Sequence, residues 1–348
     1  MPIIDRFLAC LGIAAFGGAV TLWSLGRFHT PQPHHLSWLL AGTTMAGVVV
    51  LGASCTRSLL RRHSLLQSRP LLLTLGGAMP PMAAALFLGS AFLIPPQAHT
   101  SRRVEAPERP ATRLRVVSFN VLHDYPRFGD QELRTARLAA ALRALAPDVV
   151  LLQEAWSTPA HGNLAARLAS ELGMDSTYVR ANGSRHLIGF EEGLAALSRW
   201  PIVDARAHSL APRRHAVERR VALTLEVRVA ADETVSFVVT HLTHADPAVR
   251  DAQAISLLQV APSGWHLVAG DFNGTIRSAA LAAFVERGYR TLVPGGIDHV
   301  LVPTGGEQPW IVDGAAWTLR PNDLRRLIGE TVPLSDHPGI VVDLRRQL

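Results

Sequence analysis

The stretch Val268-Ala269-Gly270-Asp271-Phe272-Asn273-Gly274 carries a carboxylate and a carboxamide two residues apart, directly after the apolar run Trp265 to Ala269. A run of that length reads as a short buried strand, and its ending in glycines and polar residues leaves polar side chains at the strand tip. Alternate residues of an extended chain point to the same side, so Asp271 and Asn273 can address one small target together: a water, a metal or a phosphate oxygen. A strand followed by an Asx-type turn accounts for the same residues without any chemistry. Further strand ends offer comparable groups. Asn120 closes Ser118-Phe119-Asn120, Glu154 follows Gln153, His241 sits in Thr240-His241-Leu242, Asp298 opens Asp298-His299-Val300, and Asp336-His337 precede the last strand. Taken singly, Asn120 caps a turn, Glu154 pairs with an arginine and His241 is a structural histidine. As a set they are harder to explain that way.

The elements that would position this set are short apolar runs alternating with Ala/Leu/Arg-rich helical stretches from Leu114 onward. The pattern predicts strands at Leu114 to Leu122, Asp148 to Gln153, Gly193 to Leu197, Val221 to Val229, Val235 to Thr240, His266 to Ala269, His299 to Val302 and Ile340 to Leu344. Helices are predicted at Gln131 to Leu145, Leu164 to Leu172, Pro247 to Leu258 and Ala279 to Arg287. Several strands follow one another without a helix between them, which points to two packed sheets covered by helices and not to a single doubly wound sheet.

The first third of the chain is written differently. Residues Phe7 to Leu25, Leu36 to Cys55 and Leu71 to Pro96 carry no charge, and each is near the roughly 20 residues that cross a bilayer. Three spanning helices are therefore expected within residues 1–96, the last kinked or split at Pro80-Pro81. A signal peptide fits the first stretch less well, because Asp5 offsets Arg6 and two more apolar spans follow. Residues 97–112 are polar, proline-containing and aperiodic, and read as a linker before a domain at 113–348. Arginines are concentrated in the loop Thr56 to Pro70, which predicts that loop to be cytoplasmic and the C-terminal domain to lie outside the cytoplasm. The spans contain no acid or base of the kind that marks an ion path, which argues against a transporter.

The chain is 48% hydrophobic with 34 Lys plus Arg against 28 Asp plus Glu, and every one of the 34 is arginine. Cys10 and Cys55 both fall in the apolar third, so the remainder has no disulfide framework and no cysteine zinc site. His241 and His244 lack a third nearby ligand for a catalytic zinc. Arg213, Arg214, His215, Arg219 and Arg220 form a basic run that reads more readily as a solvated loop than as a phosphate-binding rim. Aromatic residues are 6% of the chain and do not interleave with those arginines, so no stacking platform for single-stranded nucleic acid is evident.

The segments SFNV, LLQE, LSRWPI, THL, GDFN, IDHVL and SDHPG stand in that order, and in this order they resemble the endonuclease/exonuclease/phosphatase superfamily, with its deoxyribonuclease-I-like fold. The resemblance runs from about Leu114 to the C-terminus and leaves the apolar third outside. It implies a four-layer α/β sandwich and divalent-metal-dependent cleavage of phosphate esters. It further implies Glu154 as the principal ligand of Mg²⁺ or Mn²⁺, with Asn120 beside it and Asp336 next to the metal, a hard-oxygen set of the kind Mg²⁺ prefers. Asp271 would orient or deprotonate the attacking water, Asn273 would hold a phosphate oxygen, and His337, fixed by Asp298, would contact the phosphate. In the deoxyribonuclease branch the partner of the second histidine, here His241, is a glutamate seven residues before a strand-ending arginine. Glu192 stands at that distance from Arg199.

The resulting expectation is a membrane-anchored phosphodiesterase acting on a phosphoester, either a lipid headgroup or a nucleic acid, and held to the bilayer by three N-terminal helices. No protein partner can be inferred. The competing reading is a membrane-tethered module that binds a phosphorylated ligand without turning it over.

Overall fold

The computed structural model describes residues 95–105, 110–124, 130–185, 189–214, 218–320 and 334–347. The chain divides into two compact units, one of Met1–Ile94, Asp124–Gly129 and Ser184–Gly189, the other of the remaining residues. The three expected membrane spans lie outside the described residues, apart from Pro95 and Pro96 at the end of the last. Among the described residues no helix is long and apolar enough to cross a membrane.

The second unit contains β1 (Ala98–Ser101), β2 (Arg113–Asn120), α1 (Gln131–Leu145), β3 (Val149–Thr158), β4 (Gly162–Asn163), α2 (Leu164–Leu172), β5 (Asp175–Ser184), β6 (Phe190–Ser198), β7 (Ile202–Ser209), β8 (Val221–Arg228), β9 (Thr234–His241), α3 (Pro247–Val260), β10 (His266–Asp271), α4 (Ala279–Glu286), β11 (Tyr289–Thr291), β12 (Asp298–Pro303), β13 (Trp310–Thr318) and β14 (Gly339–Arg346). One sheet has the order β1-β5-β6-β3-β2-β14-β13 with β4 paired to β3, and the other the order β11-β12-β10-β9-β8-β7.

The two sheets pack face to face. Leu114, Val116, Val149, Leu151, Leu194 and Ala196 of the first meet Leu223, Leu225, Phe237, Val239, Leu267 and Ala269 of the second in one core. Alternate residues of the second sheet, Ala222, Val238, Val268 and Leu301, point the other way and are covered by Ala254, Leu257, Ala280, Leu281 and Phe284 of α3 and α4. Central strands apolar on both faces are what burial between two layers demands, and this is why they read as unbroken runs in the sequence. The expected two-sheet sandwich with covering helices is the observed architecture.

Two parallel strand pairs fix the geometry of the site end. β2 runs parallel to β3 and β9 parallel to β10, each pair joined through a helix, so their C-terminal ends lie side by side. Asn120 and Glu154 are delivered by the first pair, His241 and Asp271 by the second. β12 pairs antiparallel with β10 in a register that sets Asp298 opposite Asp271. β14 pairs antiparallel with β2 so that Ile340 lies opposite Ser118, which brings the preceding Asp336-His337 to the same end. The helices are held by local signals. Asn163 Oδ1 accepts from Ala166 N at 3.1 Å at the start of α2, and Asp246 Oδ1 accepts from Ala248 N and Val249 N at 3.0 and 3.2 Å at the start of α3, with Pro247 in the first turn.

The differences from the sequence-based expectation are in the polar strands. β5 (DSTYVRANGS), β7 (IVDARAHS) and β13 (WIVDGAAWT) were not expected, because none carries the apolar run by which a central strand announces itself. The linker expectation for 97–112 also changes. Residues 98–101 form β1 against β5, and the buried Asp175 carboxylate accepts from the backbone N–H groups of Arg103, of Val104 at 2.8 Å and of Ile202 at 3.0 Å. A strap fixed by main-chain bonds leaves no periodic side-chain pattern to read.

Candidate active site

Glu154 is delivered by an irregularity in β3. Against β6 the register runs from Leu152 opposite Ala195 to Ala155 opposite Gly193, one residue more on β3 than on β6, and Glu154 takes a positive φ of 56°. A bulge of this kind re-aims a side chain that regular pairing would point elsewhere, and a left-handed glutamate persists only where surrounding bonds hold it. Those bonds are present. Asn120 Nδ2 donates to Glu154 Oε1 at 3.2 Å, His123 N donates to Oε2 at 3.0 Å, and His123 Nε2 lies 3.5 Å from Oε2. Burial alone would raise the Glu154 pKa, but the charge of His123, the N–H donors and the positive Arg220 outweigh it, and the carboxyl lies below its ordinary value.

Asp271 sits on the opposite sheet. Its Oδ2 accepts from the same Asn120 Nδ2 at 3.1 Å and lies 3.5 Å from His241 Nε2 and 3.8 Å from His337 Nε2. Its Oδ1 accepts from Asn273 N at 2.8 Å, an Asx turn that places Asn273 at φ 50°. Burial and then the neighbouring Asp298 charge push the Asp271 carboxyl up to about 7, against the pull of His337, Asn273 N–H and Asn120. β9 and β10 approach so closely here that a Cβ on Gly270 would stand 2.0 Å from Thr240 O.

Asp298 Oδ2 bonds His337 Nδ1 at 2.8 Å. Burial works against the imidazolium, yet this hydrogen bond and the charges of Asp298, Asp271 and Asp336 raise His337 to about 9. His241 behaves oppositely: burial first, then Arg220, His123, His337 and His244, hold its pKa well below the ordinary value, so it is neutral. Two histidines on one carboxylate thus carry different charges, the arrangement that separates an electrostatic donor from a neutral hydrogen-bonding group.

Asn120, Glu154, His241, Asp271, Asp298 and His337 are therefore brought together. Asn273 joins them by its backbone, while its Nδ2 donates to Leu242 O at 2.9 Å and ties the ends of β9 and β10. Two expectations are corrected. Glu192 does not bond His241: its carboxylate accepts from Asn182 Nδ2 at 2.6 Å, and His241 Nδ1 has no hydrogen-bond partner among the described residues. Glu192 lies opposite Trp156 on β6, beyond the bulge, and Asn182 holds it there while also bonding the backbone of Arg219. Asp336 does not join Glu154. Its side chain is 63% exposed and stands 4.0 Å from His337 Nε2, accepting from Ser335 Oγ at 3.3 Å.

The sequence reading also missed two neighbours of Glu154. His123 was not singled out, since only the turn after β2 brings it back onto the bulge. Arg220 was placed in a solvated loop, but it is 9% exposed, with Nε donating to Glu218 Oε1 at 3.2 Å. Thr243 Oγ1 donates to the same carboxylate oxygen at 2.7 Å. The start of β8 is covered because it pairs with β9 inside the sandwich, which a charge run in one dimension does not reveal. Arg219 is buried as well, and Arg213 and Arg214 are exposed.

A hard divalent cation fits this donor set. Glu154 and Asp271 present carboxylate oxygens on either side of Asn120 Nδ2, while Asn120 Oδ1 accepts from Leu122 N at 3.0 Å; each Glu154 oxygen and Asn120 Oδ1, though bonded to an N–H donor, keeps lone-pair capacity. Among the described residues one group of three acids or histidines has all its donor atoms within 4.8 Å: Asp271, Asp298 and His337. In that group the 2.8 Å bond between Asp298 and His337 is a competing use of the same atoms.

The family model for the endonuclease/exonuclease/phosphatase family matches residues 117–337. No curated protein matches the chain. Solved structures do. An endonuclease/exonuclease/phosphatase from Beutenbergia cavernae is 22% identical, with 68% of this chain and 72% of that chain covered at a TM-score of 0.53. The human Nocturnin catalytic domain with bound sulfate is 18% identical over 69% of this chain and 100% of that one, TM-score 0.54. ANGEL2, described as a 2′,3′-cyclic phosphatase and solved with adenosine-2′,3′-vanadate, is 13% identical over 74% and 100%, TM-score 0.53. At these identities the likeness is one of fold.

Proposed function

Because the chain belongs to the endonuclease/exonuclease/phosphatase family, we propose that it is a divalent-metal-dependent phosphodiesterase that cleaves its ester by in-line attack of water. The observation that carries this reading is the convergence on Asp271 Oδ2 of Asn120, His241 and His337, at 3.1, 3.5 and 3.8 Å, from four separate strand ends. Glu154 and Asn120 would hold the ion, Mg²⁺ or Mn²⁺, which supplies charge neutralisation at the phosphoryl oxygens when bound. Asp271, raised to about 7, takes the proton of the attacking water near neutral pH, where a base is most effective. His337, kept cationic by Asp298, donates to the oxygen on which negative charge develops. His241 donates from neutral Nε2 to Asp271 or to the substrate. A phosphoryl group is the ligand such a site would take; Nocturnin is described with a bound sulfate and ANGEL2 with adenosine-2′,3′-vanadate.

The test is hydrolysis of bis(p-nitrophenyl) phosphate by the full chain with Mg²⁺, Mn²⁺ or chelator, beside p-nitrophenyl phosphate. Diester cleavage that stops with chelator and returns with the ion supports the proposal. Binding of the diester without turnover in any metal would instead establish a silent binding module. Anchoring rests on the apolar residues 1–96 alone, and places a phospholipid headgroup or an extracytoplasmic nucleic acid within reach. C-terminal reporter fusions check it: a periplasm-active reporter should give signal and a cytoplasm-active one none. Assays on headgroup-bearing vesicles and on DNA or RNA separate the substrate classes.

A further inference from the structure

The loop that carries Asp271 and Asn273 is held by two side chains that take no part in the reaction just described. Arg250, from the first turn of α3, donates through Nη1 to Asn273 O at 2.7 Å. His299, the residue after Asp298 on β12, bonds Gly274 O through Nε2 at 2.7 Å. Successive residues of a strand point to opposite faces, so Asp298 faces the site while His299 lies in the helix-covered layer, its ring edge-on to Phe272 with centroids 5.6 Å apart.

His299 is an expensive residue for that position. It is fully buried, its Nδ1 has no hydrogen-bond partner among the described residues, and its ring lies against Phe272, a member of the apolar cluster under the helices, where an apolar side chain would be ordinary. A carbonyl can only accept, so Nε2 carries the hydrogen and Nδ1 is the unpaired lone pair. A buried polar group left half-satisfied is a standing cost. Arg250 is paired more fully: its Nε is buried without a hydrogen bond but lies 3.6 Å from Asp251 Oδ1, and it packs against Gly274, where an added Cβ would meet it at 3.3 Å and Ser278 Oγ at 2.7 Å.

We infer that His299 and Arg250 are positioning residues which fix the Asp271–Gly274 loop by its last two carbonyls and thereby set the direction of the Asp271 carboxylate. Asn273 is left-handed, a conformation asparagine adopts more readily than other non-glycine residues, and here its peptide groups are held on both sides. The N–H side is held by Asp271 itself, and the carbonyl side by Arg250 and His299. Misplacement of a reacting group by about 1 Å costs on the order of a hundredfold in rate.

This inference rests on the phosphodiesterase reading, and two readouts keep their failures apart. In the full chain with Mg²⁺, His299→Phe keeps the ring against Phe272 and removes the donor. It is expected to lower kcat by about ten- to a hundredfold with KM within about threefold, and to lower the melting temperature modestly, because the buried Gly274 carbonyl loses its donor while the unpaired Nδ1 is also removed. His299→Gln, which returns an N–H near the Nε2 position, should recover a substantial part of kcat. Arg250→Leu should act on the same step, and the double variant should fall short of the product of the two single losses. The substrate-independent readout is amide exchange in the peptide spanning 268–276, expected to quicken in His299→Phe and to be restored in His299→Gln. Unchanged exchange, or a kcat loss that His299→Gln does not rescue, overturns the positioning role. Quickened exchange in a protein whose wild type hydrolyses no diester sustains the clamp and removes the phosphodiesterase reading instead.

Discussion

Glu154 lies at the bulge in β3 where its parallel pairing with β2 ends and Asp271 at the C-terminal end of β10, one in each sheet, and both accept from the single amide nitrogen of Asn120. Their electrostatics are opposite. Glu154 has the backbone N–H of His123, the His123 ring and Arg220 about it, and its carboxyl is held below the ordinary value. Asp271 lies in register with Asp298, and burial with that second negative charge pushes it up to about 7. Position in the fold does not decide what a carboxylate does. Its neighbours do, and here they separate a carboxylate held in its charged form from one able to exchange a proton at neutral pH.

The comparison is broken most directly at the charged member. Glu154→Ala should abolish Mg²⁺-dependent hydrolysis, a loss of about a thousandfold or more in kcat/KM, since the ion and its charge stabilisation go together. Asp271→Asn should retain ion binding, seen by calorimetric titration, while losing about a hundred- to ten-thousandfold in kcat as a missing general base. Loss of ion binding in Asp271→Asn with retention in Glu154→Ala would reverse the two roles.

The Asp298-His337 pair sharpens it. Activity should rise as Asp271 deprotonates through about 7 and fall as His337 deprotonates through about 9. Asp298 raises both groups, so Asp298→Asn should move both limbs of the kcat/KM profile to lower pH and reduce turnover by about a hundredfold. His337→Ala should be at least as damaging, with the double variant little worse than either, because the pair acts as one unit. Independent, multiplying losses would reduce Asp298 to a strand-end residue.

Arg220→Gln is expected to have a smaller effect, about tenfold in kcat/KM, by removing one of several charges that favour ionised Glu154 and an anionic substrate. An unchanged rate and unchanged salt dependence would return Arg220 to a purely structural pairing with Glu218. The smallest effect is on stability. His337 is raised from 6.5 to about 9 in the fold, so its contribution is full below 6.5 and is lost as pH rises through 9. The melting-temperature gap between wild type and His337→Ala should therefore narrow between pH 6 and pH 10, and a constant gap would show that the pair is not ionised.

How much of this was legible in the sequence varies by element. α1 and α2 are expected with the bounds they have, Gln131–Leu145 and Leu164–Leu172: α2 carries an apolar face with Asn163 capping its start and Gly173 ending it, and α1, with no side-chain cap, is a run of strong helix formers, Ala, Leu and Arg. The central strands β2, β3, β9 and β10 were expected within a few residues, since burial on both faces leaves continuous apolar runs. β5, β7 and β13 were not, because polar strands are specified by their neighbours more than by their own residues. Of the site, Asn120, Glu154, His241, Asp271, Asp298 and His337 were found as strand-end residues. His123 and Arg220 lay among ordinary turn and loop residues, and the pairing of Glu192 with His241 followed spacing that the bulge and Asn182 override.

The sequence by itself determined the alternation of apolar runs and polar strand ends, and hence which side chains would crowd one end of a two-sheet sandwich. That follows from periodicity and burial, which act along the chain. Which carboxylate is charged, which histidine is cationic and which arginine is dry were decided only by tertiary structure. Those properties are set by groups 30 to 150 residues away in sequence, such as Asn120 between Glu154 and Asp271, and electrostatic energy depends on distance and desolvation in space, neither of which the order of residues contains.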